Sequence, residues 1–157
     1  MIPAHSKRYL CHGLAAQPTV LTALMNGVNP DRYDLRPEVD RFTLREVIAH
    51  LADWEGVWLG RMKLIISEEN PFLQGYDEGQ WAIDHAYHTL VPLEQLERYS
   101  AGRAEMVEFL RGMPDKAWER TGRHSEWGEM SIFNLASLVL GHDGYHMKQV
   151  VEWTTAG

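Results

Sequence analysis

Two histidines near the end of the chain, His142 and His146, have the spacing of metal ligands. Residues four apart lie on one face of a helix, with Cβ atoms about 6 Å apart, so both rings can reach the same ion. Imidazole nitrogens bind zinc at about 2.0–2.1 Å. The pair therefore predicts part of a metal site, provided that the segment is helical and both rings point inward.

A third histidine, His50, meets the same conditions on another predicted helix, beside the apolar Leu51 and Trp54. Burying several imidazoles in an apolar bundle costs free energy unless they share a partner. We therefore predict that His50, His142 and His146 bind one divalent metal ion per chain. The alternative is that each is an ordinary, partly buried histidine with its own hydrogen bond.

The segment from His142 to His146 can also be compared with the HExxH motif of metallopeptidases, in which the glutamate is general base to a zinc-bound water. Asp143 stands in place of that glutamate and is one methylene shorter. A metal-dependent hydrolase that uses this HDxxH motif is therefore one alternative. The scarcity of strand patterns argues against a peptidase fold.

Apolar periodicity places the three histidines on long helices. A helix from 43 to about 67 begins with a capping box, in which the side chains of Thr43 and Glu46 bond to each other's backbone N–H. Its apolar row comprises Leu44, Val47, Leu51, Trp54 and Trp58. A last helix, capped by Ser131, runs to about residue 153, and its inward row includes Leu135, Val139, His142 and His146.

Two further long helices are predicted at 9–26 and 92–111. Short helical segments are expected at 79–87 and 115–120, and a polar loop at 121–130. Few stretches alternate apolar and polar residues, so no sheet is expected. The pattern predicts an all-α fold, a four-helix bundle with short additional helical turns, in a single domain over residues 1–157.

Composition is consistent with one globular domain and excludes several classes of function. The chain has 157 residues, 45% of them hydrophobic and 24% charged, which is an ordinary globular balance. Its net charge of −7 argues against a nucleic-acid partner. No apolar run is long enough to span a membrane, and the first residues lack the apolar stretch of a signal peptide. A lone cysteine, Cys11, fits a reducing compartment, so we expect a cytoplasmic protein.

Three segments resemble the DinB/YfiT-like superfamily: IAHLADWE (48–55), SEWGEMSI (125–132) and GHDGYHMKQ (141–149), the last being similar to its closing H-D-x-x-H-x-x-Q motif. The resemblance implies a four-helix bundle, commonly a homodimer, with a nickel- or zinc-type ion on three histidines and one open position. His50, His142 and His146 would be the ligands. Some members of this superfamily are thiol S-transferases that use bacillithiol or mycothiol.

Several residues are candidates for the surroundings of the ion. Asp143 and Gln149 can accept the second N–H of a ligating histidine. Asp53 is a candidate fourth ligand. Trp54 can form an apolar wall, or simply pack in the core, and Trp127 can cover the pocket.

Arg103 lies in the inward row of the third long helix, where a charged side chain is unusual. It can extend to water, pair with Asp53, or bind the anionic end of a substrate. Gly144, about 200° around the helix from His142, lacks a side chain and would let a second copy of the chain approach closely.

Three functions stay open. The first is a metal-dependent enzyme of unknown substrate, of the thiol S-transferase type, whose ion activates a small thiol. The second is a non-catalytic protein with a structural or regulatory metal. The third is the hydrolase described above. An open coordination position favours the first over the second, because structural zinc is usually closed by four protein ligands.

Overall fold

Four long helices organise the chain, as the sequence predicts. The computed structural model describes residues 1–36 and 38–155, so Pro37, Ala156 and Gly157 of the predicted domain lie outside the described residues. In chain order the five helices are α1 (Ala4–Met25), α2 (Leu44–Ser67), α3 (Glu78–Asp84), α4 (Pro92–Gly112) and α5 (Ile132–Thr155). Short 3₁₀ turns occupy Pro30–Arg32, Tyr87–Thr89 and Asp115–Glu119.

The start of α2 confirms the predicted capping box. The hydroxyl of Thr43 accepts from the backbone N–H of Glu46 at 3.2 Å, and the Glu46 carboxylate accepts from the backbone N–H of Thr43 at 2.8 Å. The first helix is longer than predicted, because it begins at Ala4 and continues through Pro18.

The four long helices pack in a ring, in which α1 and α2 each contact both α4 and α5. Their inward rows form two main apolar clusters, whose fully buried members include Leu14, Leu21, Ile48, Leu51, Met62, Tyr99, Met106, Leu135 and Val139. The predicted all-α four-helix bundle is therefore confirmed. No helix among the residues that the structure describes is long and apolar enough to cross a membrane.

A small three-stranded sheet corrects the expectation of a polar loop at 121–130. Strands β2 (Thr121–His124) and β3 (Gly128–Ser131) form an antiparallel hairpin, and β1 (Phe72–Leu73) pairs in parallel with β2. The turn closes at Gly128, whose φ of +73° favours glycine. The buried positions of β2 are occupied by Gly122 and His124, so the segment lacks the apolar alternation that signals a half-buried strand.

Arg120 fixes the hairpin to the end of α2. Its guanidinium donates to the carbonyl of Ile65 at 2.9 Å and to that of Glu68 at 2.7 Å, and so satisfies carbonyls that the end of the helix leaves free. The hairpin is thereby held beside the C-terminal half of α2, whereas α3 is attached to the N-terminal half through Trp81, which donates to Asp53.

Candidate metal centre

The structure brings His50, His142 and His146 together between α2 and α5. The ring centroids lie 5.0 Å apart for His50 and His142, 4.8 Å for His50 and His146, and 4.5 Å for His142 and His146. One nitrogen from each ring lies within 4.8 Å of the others. Side chains at 50, 142 and 146 converge because α2 and α5 are neighbours in the ring and each presents its inward row to the other.

Burial keeps His50 and His146 in the form that can bind a metal. It lowers the pKa of His50 well below its ordinary value, and the neighbouring His146 and His142 add to the effect. The pKa of His146 falls to about 3, first through burial and then through His142. Both rings are therefore neutral at physiological pH, and each offers a nitrogen lone pair.

The donor set fits a divalent metal ion. The Nε2 atoms of His50 and His142 face each other 2.9 Å apart, and two neutral rings in this arrangement share a single proton at most. A cation between the rings satisfies every lone pair that points inward, whereas a hydrogen bond satisfies only one. The residues present can therefore hold an ion such as zinc or nickel.

Gln149 sets the orientation of His146. Its side-chain oxygen lies 3.1 Å from Nδ1 of His146, and its amide nitrogen donates to the carbonyl of Phe42 at 3.3 Å. The second contact fixes the amide so that its oxygen faces the imidazole. A neutral His146 that donates through Nδ1 keeps the lone pair of Nε2 free for the centre.

Asp143 lies behind His142, on the side of the ring away from the other imidazoles. One of its oxygens is 3.8 Å from Nδ1 of His142, and the other accepts from the hydroxyl of Tyr99 at 2.9 Å. Burial alone would raise the pKa of Asp143, but the neighbouring His142 and the charge of Arg103 outweigh it and lower the pKa. Asp143 therefore backs a candidate ligand and does not occupy the place of a general base, which corrects the HDxxH interpretation.

Arg103 has an environment that differs from all three alternatives considered for it. The side chain is 1% exposed, so it does not extend to water, and its partners are Glu55 and Asp143 instead of Asp53. Nε and Nη2 donate to the two oxygens of Glu55 at 3.0 and 2.5 Å, and Nη1 donates to Asp143 at 2.6 Å. With its N–H groups occupied, Arg103 is not an anchor for a substrate. It fixes Asp143, and through Asp143 it supports His142.

Asp53 is likewise engaged away from the three imidazole nitrogens. It accepts from the indole N–H of Trp81 at 2.7 Å and from the hydroxyl of Tyr87 at 3.1 Å. Tyr87 contacts the ring of His50 with a centroid separation of 6.5 Å. Asp53 thus positions aromatic neighbours of the centre and is not a fourth ligand in this structure.

Glu78 is a carboxylate beside the centre that the sequence did not reveal. It begins α3, and its Oε2 lies 3.9 Å from Nε2 of His50, with about half of the side chain exposed. Burial raises its pKa, an effect that His142 partly opposes. The short helix was predicted at 79–87, without Glu78, and only the fold brings this residue to the imidazoles.

Indole rings form one wall of the centre. Trp54 lies 5.1 Å from His50 and stacks against His142 at 6.2 Å, and Trp58 contacts His142 edge-on at 5.7 Å. Trp127 stacks on Trp58 at 6.1 Å and on His124 at 3.8 Å. Trp127 therefore covers the outer end of this wall, one ring away from the imidazoles.

Known proteins resemble this chain in sequence and in structure. Residues 14–150 match the family model of the DinB superfamily. A protein of Oceanobacillus iheyensis named "Putative metal-dependent hydrolase OB0782" is 31% identical over 134 residues, which are 85% of this chain and 77% of that protein. "Putative metal-dependent hydrolase YfiT" of Bacillus subtilis is 28% identical over 112 residues, covering 71% of this chain and 63% of that protein.

Among solved structures, that of YfiT from Bacillus subtilis superposes with a TM-score of 0.90 at 23% identity, over 98% of this chain and 88% of the other. Its title describes a probable metal-dependent hydrolase with an unusual four-helix bundle topology. At this level of identity the similarity shows a shared fold.

Proposed function

The chain belongs to the DinB superfamily, and from this premise we propose that it is a metal-dependent enzyme in which His50, His142 and His146 hold one zinc or nickel ion. The observation that carries the proposal is the convergence of three buried imidazoles. Within the described part of the chain this group has no fourth protein ligand. A three-ligand site with an open position is typical of catalytic zinc.

A divalent ion held by these residues would lower the pKa of a bound water or thiol and polarise an electrophile. The side chains supply the remainder of the chemistry. Gln149 keeps His146 in the required tautomer, and Asp143 backs His142. Glu78, with its raised pKa, accepts a proton from an attacking water, and Trp54 and Trp58 keep bulk solvent from one side.

Hydrolysis is the reaction that this arrangement supports best, because Glu78 supplies the base that a water nucleophile needs. The names of the two relatives from Oceanobacillus iheyensis and Bacillus subtilis point to the same reaction class. Thiol S-transfer is the second candidate. The indole wall formed by Trp54 and Trp58 favours it, because an apolar surface suits a thiolate better than a water molecule.

The proposed metal centre is tested by measuring the metal content of purified variants. We expect about one divalent ion per chain in the natural protein and close to none in His50→Ala, His142→Ala or His146→Ala, because each removes one of three ligands. His12→Ala, which alters an exposed histidine on α1, is the matched control and should keep the ion. Full metal content in all three ligand variants would refute the centre.

The reaction is tested in two assays. Hydrolysis of an activated ester should fall by about 10²–10⁴-fold in Glu78→Gln, the range for loss of a general base, and stay unchanged in Glu129→Gln, an exposed glutamate on β3. In the cobalt-loaded protein, a sulfur-to-metal charge-transfer band on addition of small thiols would favour thiol transfer. Full cobalt occupancy with no response to thiol and no ester hydrolysis would leave a structural or regulatory metal.

For the assembly we propose a homodimer that uses the outer face of α5. Gly144 is exposed there, and no described atom lies within 4 Å of the position that its Cβ would occupy. The neighbouring Tyr145 is 57% exposed. Light scattering at micromolar concentration should give twice the chain mass, and a monomeric mass would dispose of this proposal.

A further inference from the structure

A second polar group, Arg61, is buried on the far side of the indole wall. It follows His50, Trp54 and Trp58 along the inward face of α2 and is 6% exposed. Its guanidinium carbon lies 5.7 Å from the ring centroid of Trp54, 5.2 Å from Trp58, 5.7 Å from Tyr76 and 5.8 Å from Trp127. Four aromatic rings therefore surround one positive charge.

The guanidinium has few hydrogen-bond partners for a buried cation. Nη2 donates to the carbonyl of Gln74 at 2.6 Å, whereas Nε and Nη1 are buried and have no partner within residues 1–36 and 38–155. These two nitrogens carry three of the five N–H bonds of a guanidinium. Burial lowers the pKa of Arg61, and the nearby Tyr76 and Glu126 oppose this effect only in part. No described carboxylate, Glu126 included, lies close enough to form an ion pair with Arg61.

Other unpartnered donors lie next to Arg61. The indole N–H of Trp54 is buried without a described acceptor. In His124, Nδ1 accepts from the backbone N–H of Glu126 at 3.2 Å, so the proton of the neutral ring is on Nε2, which is also buried and lacks a partner among the described residues. His124 stacks on Trp127, which in turn covers Arg61. The unpartnered atoms of this group are therefore all donors, which suits an anionic ligand. The charge of Glu126 acts on Arg61 and His124, but its carboxylate accepts no hydrogen bond from either side chain.

A cleft of about 300 Å³ leads to Arg61, whereas Trp54, His124 and Trp127 are not among its lining residues. Gln74 and Tyr76 also line it, and Gly56 and Gly60 leave room on the neighbouring face of α2. The cleft is large enough for a ligand of a few carbon atoms. Trp54 and Trp58 separate it from His142, so a ligand at Arg61 has to span about one indole ring to reach the imidazoles.

We propose that Arg61, with Trp54 and His124, binds the carboxylate of a small, flat, apolar substrate that extends along the indole wall towards His142. The planar guanidinium matches a carboxylate, and the four rings match the flat body behind it. An unpaired buried cation is costly, and a carboxylate offsets that cost when it binds. Trp127, 43% exposed at the tip of the hairpin, is the ring that moves to admit it. The identification of this ligand as a substrate rests on the proposed function, whereas the binding site itself does not.

Calorimetric titration with benzoate tests the site, in the full chain both with zinc and after removal of metal by a chelator. Benzoate should bind both forms, and neutral benzamide should bind neither. We expect binding at least about tenfold weaker in Arg61→Gln and an intermediate loss in Arg61→Lys, which keeps the charge but not the planar fork. Arg123→Gln, an exposed arginine on β2, is the matched control and should bind as the natural protein does.

The location is checked by the indole N–H signal of Trp54 in nuclear magnetic resonance spectra, which should shift with benzoate in the natural protein and not in Arg61→Gln. Thermal melting confirms that each variant is folded. Equal affinity in Arg61→Gln, equal binding of benzamide, tighter binding of phosphate or no binding of benzoate would each overturn the proposal. Because the titration includes metal-free protein, the absence of a metal centre can be distinguished from the absence of a carboxylate site.

Discussion

Two arginines, Arg103 and Arg61, are buried on opposite sides of the imidazole cluster, and their surroundings differ. Arg103 is held by the carboxylates of Glu55 and Asp143, whose hydrogen bonds and charges raise its pKa against the opposing effect of burial. Arg61 is enclosed by aromatic rings with a single backbone acceptor, and burial lowers its pKa. The same residue type, at similar burial, is ion-paired with two carboxylates in one place, and in the other it has no described carboxylate at ion-pair distance.

The difference separates a scaffold from a candidate binding group. A buried ion pair with every donor occupied fixes geometry and leaves nothing for a ligand. A buried cation with free donors is tolerated only where the protein gains something else, and in an enzyme that is often binding. The imidazoles resemble Arg61 in part, because Nδ1 of His50 and Nδ1 of His142 are buried without a hydrogen-bond partner among the described residues. On one side of His142, Arg103 and Asp143 form a paired scaffold, and on the other side its Nε2 faces that of His50.

The largest loss of stability should come from replacing Arg103, the arginine that is paired with carboxylates. Arg103→Met leaves Glu55 and Asp143 buried without their cation, and we expect it to lower the free energy of unfolding by about 3–5 kcal/mol. Urea denaturation of metal-free protein measures this. Arg61→Met is the matched control and should change stability by at most about 1 kcal/mol, because no carboxylate loses its partner. Similar losses in the two variants would remove the distinction between the two arginines.

A smaller effect on stability is expected when the pH is lowered, and it arises from the buried imidazoles. The pKa values of His50 and His146 lie below their unfolded value of about 6.5, so the unfolded chain takes up protons first as the pH falls. Stability of the metal-free protein is therefore fully present above about pH 6.5. Below that it is lost, at up to about 1.4 kcal/mol per pH unit for each histidine.

Urea midpoints at several pH values between 7 and 5 measure this loss. The variant His146→Gln should show a shallower dependence, because one of the two groups is gone. If the stability of His146→Gln depended on pH as steeply as that of the natural protein, the loss would arise from residues other than His146.

The smallest of the three effects concerns the hydrogen bond that orients a candidate ligand. Gln149→Ala removes the acceptor of His146 Nδ1 and should weaken metal binding by about 10–100-fold, the usual cost of losing such a partner. Competition with a chromogenic chelator measures the affinity. Gln80→Ala, at an exposed position of α3, should leave it unchanged. An unaltered affinity in Gln149→Ala would show that His146 does not need this bond.

The helical periodicity of the sequence was sufficient to predict features that follow from the geometry of a single helix. It placed His142 and His146 on one face, His50 on the facing helix, and the capping box at Thr43, because helical geometry converts spacing directly into position. It was insufficient where partners come from distant segments. Arg103 meets Glu55 and Asp143 from two other helices, and no spacing rule relates these three residues.

Glu78 and Arg61 were missed for the same reason. Glu78, the first residue of α3, approaches His50 only through the tertiary fold. The rings around Arg61 come from α2, the segment before α3 and the β2–β3 hairpin. The hairpin was itself predicted as a loop. The one hint in the sequence was an arginine at a position that continues the inward row of Trp54 and Trp58.

The pairing of β1 with β2 has a consequence for the order in which the chain folds. Phe72 and Leu73 bond to Arg123 and His124, so about fifty residues, including all of α3 and α4, lie between the partners. Closing so long a loop for a two-residue strand is entropically unfavourable until the helices have docked, whereas the β2–β3 hairpin is a local structure that forms early. The β1–β2 contact is therefore among the last to form and the first to open. Backbone amides at 72–73 should accordingly exchange with solvent deuterium far faster than those in the middle of α2, which makes this edge of the Arg61 cleft the part of the molecule that opens without unfolding the bundle.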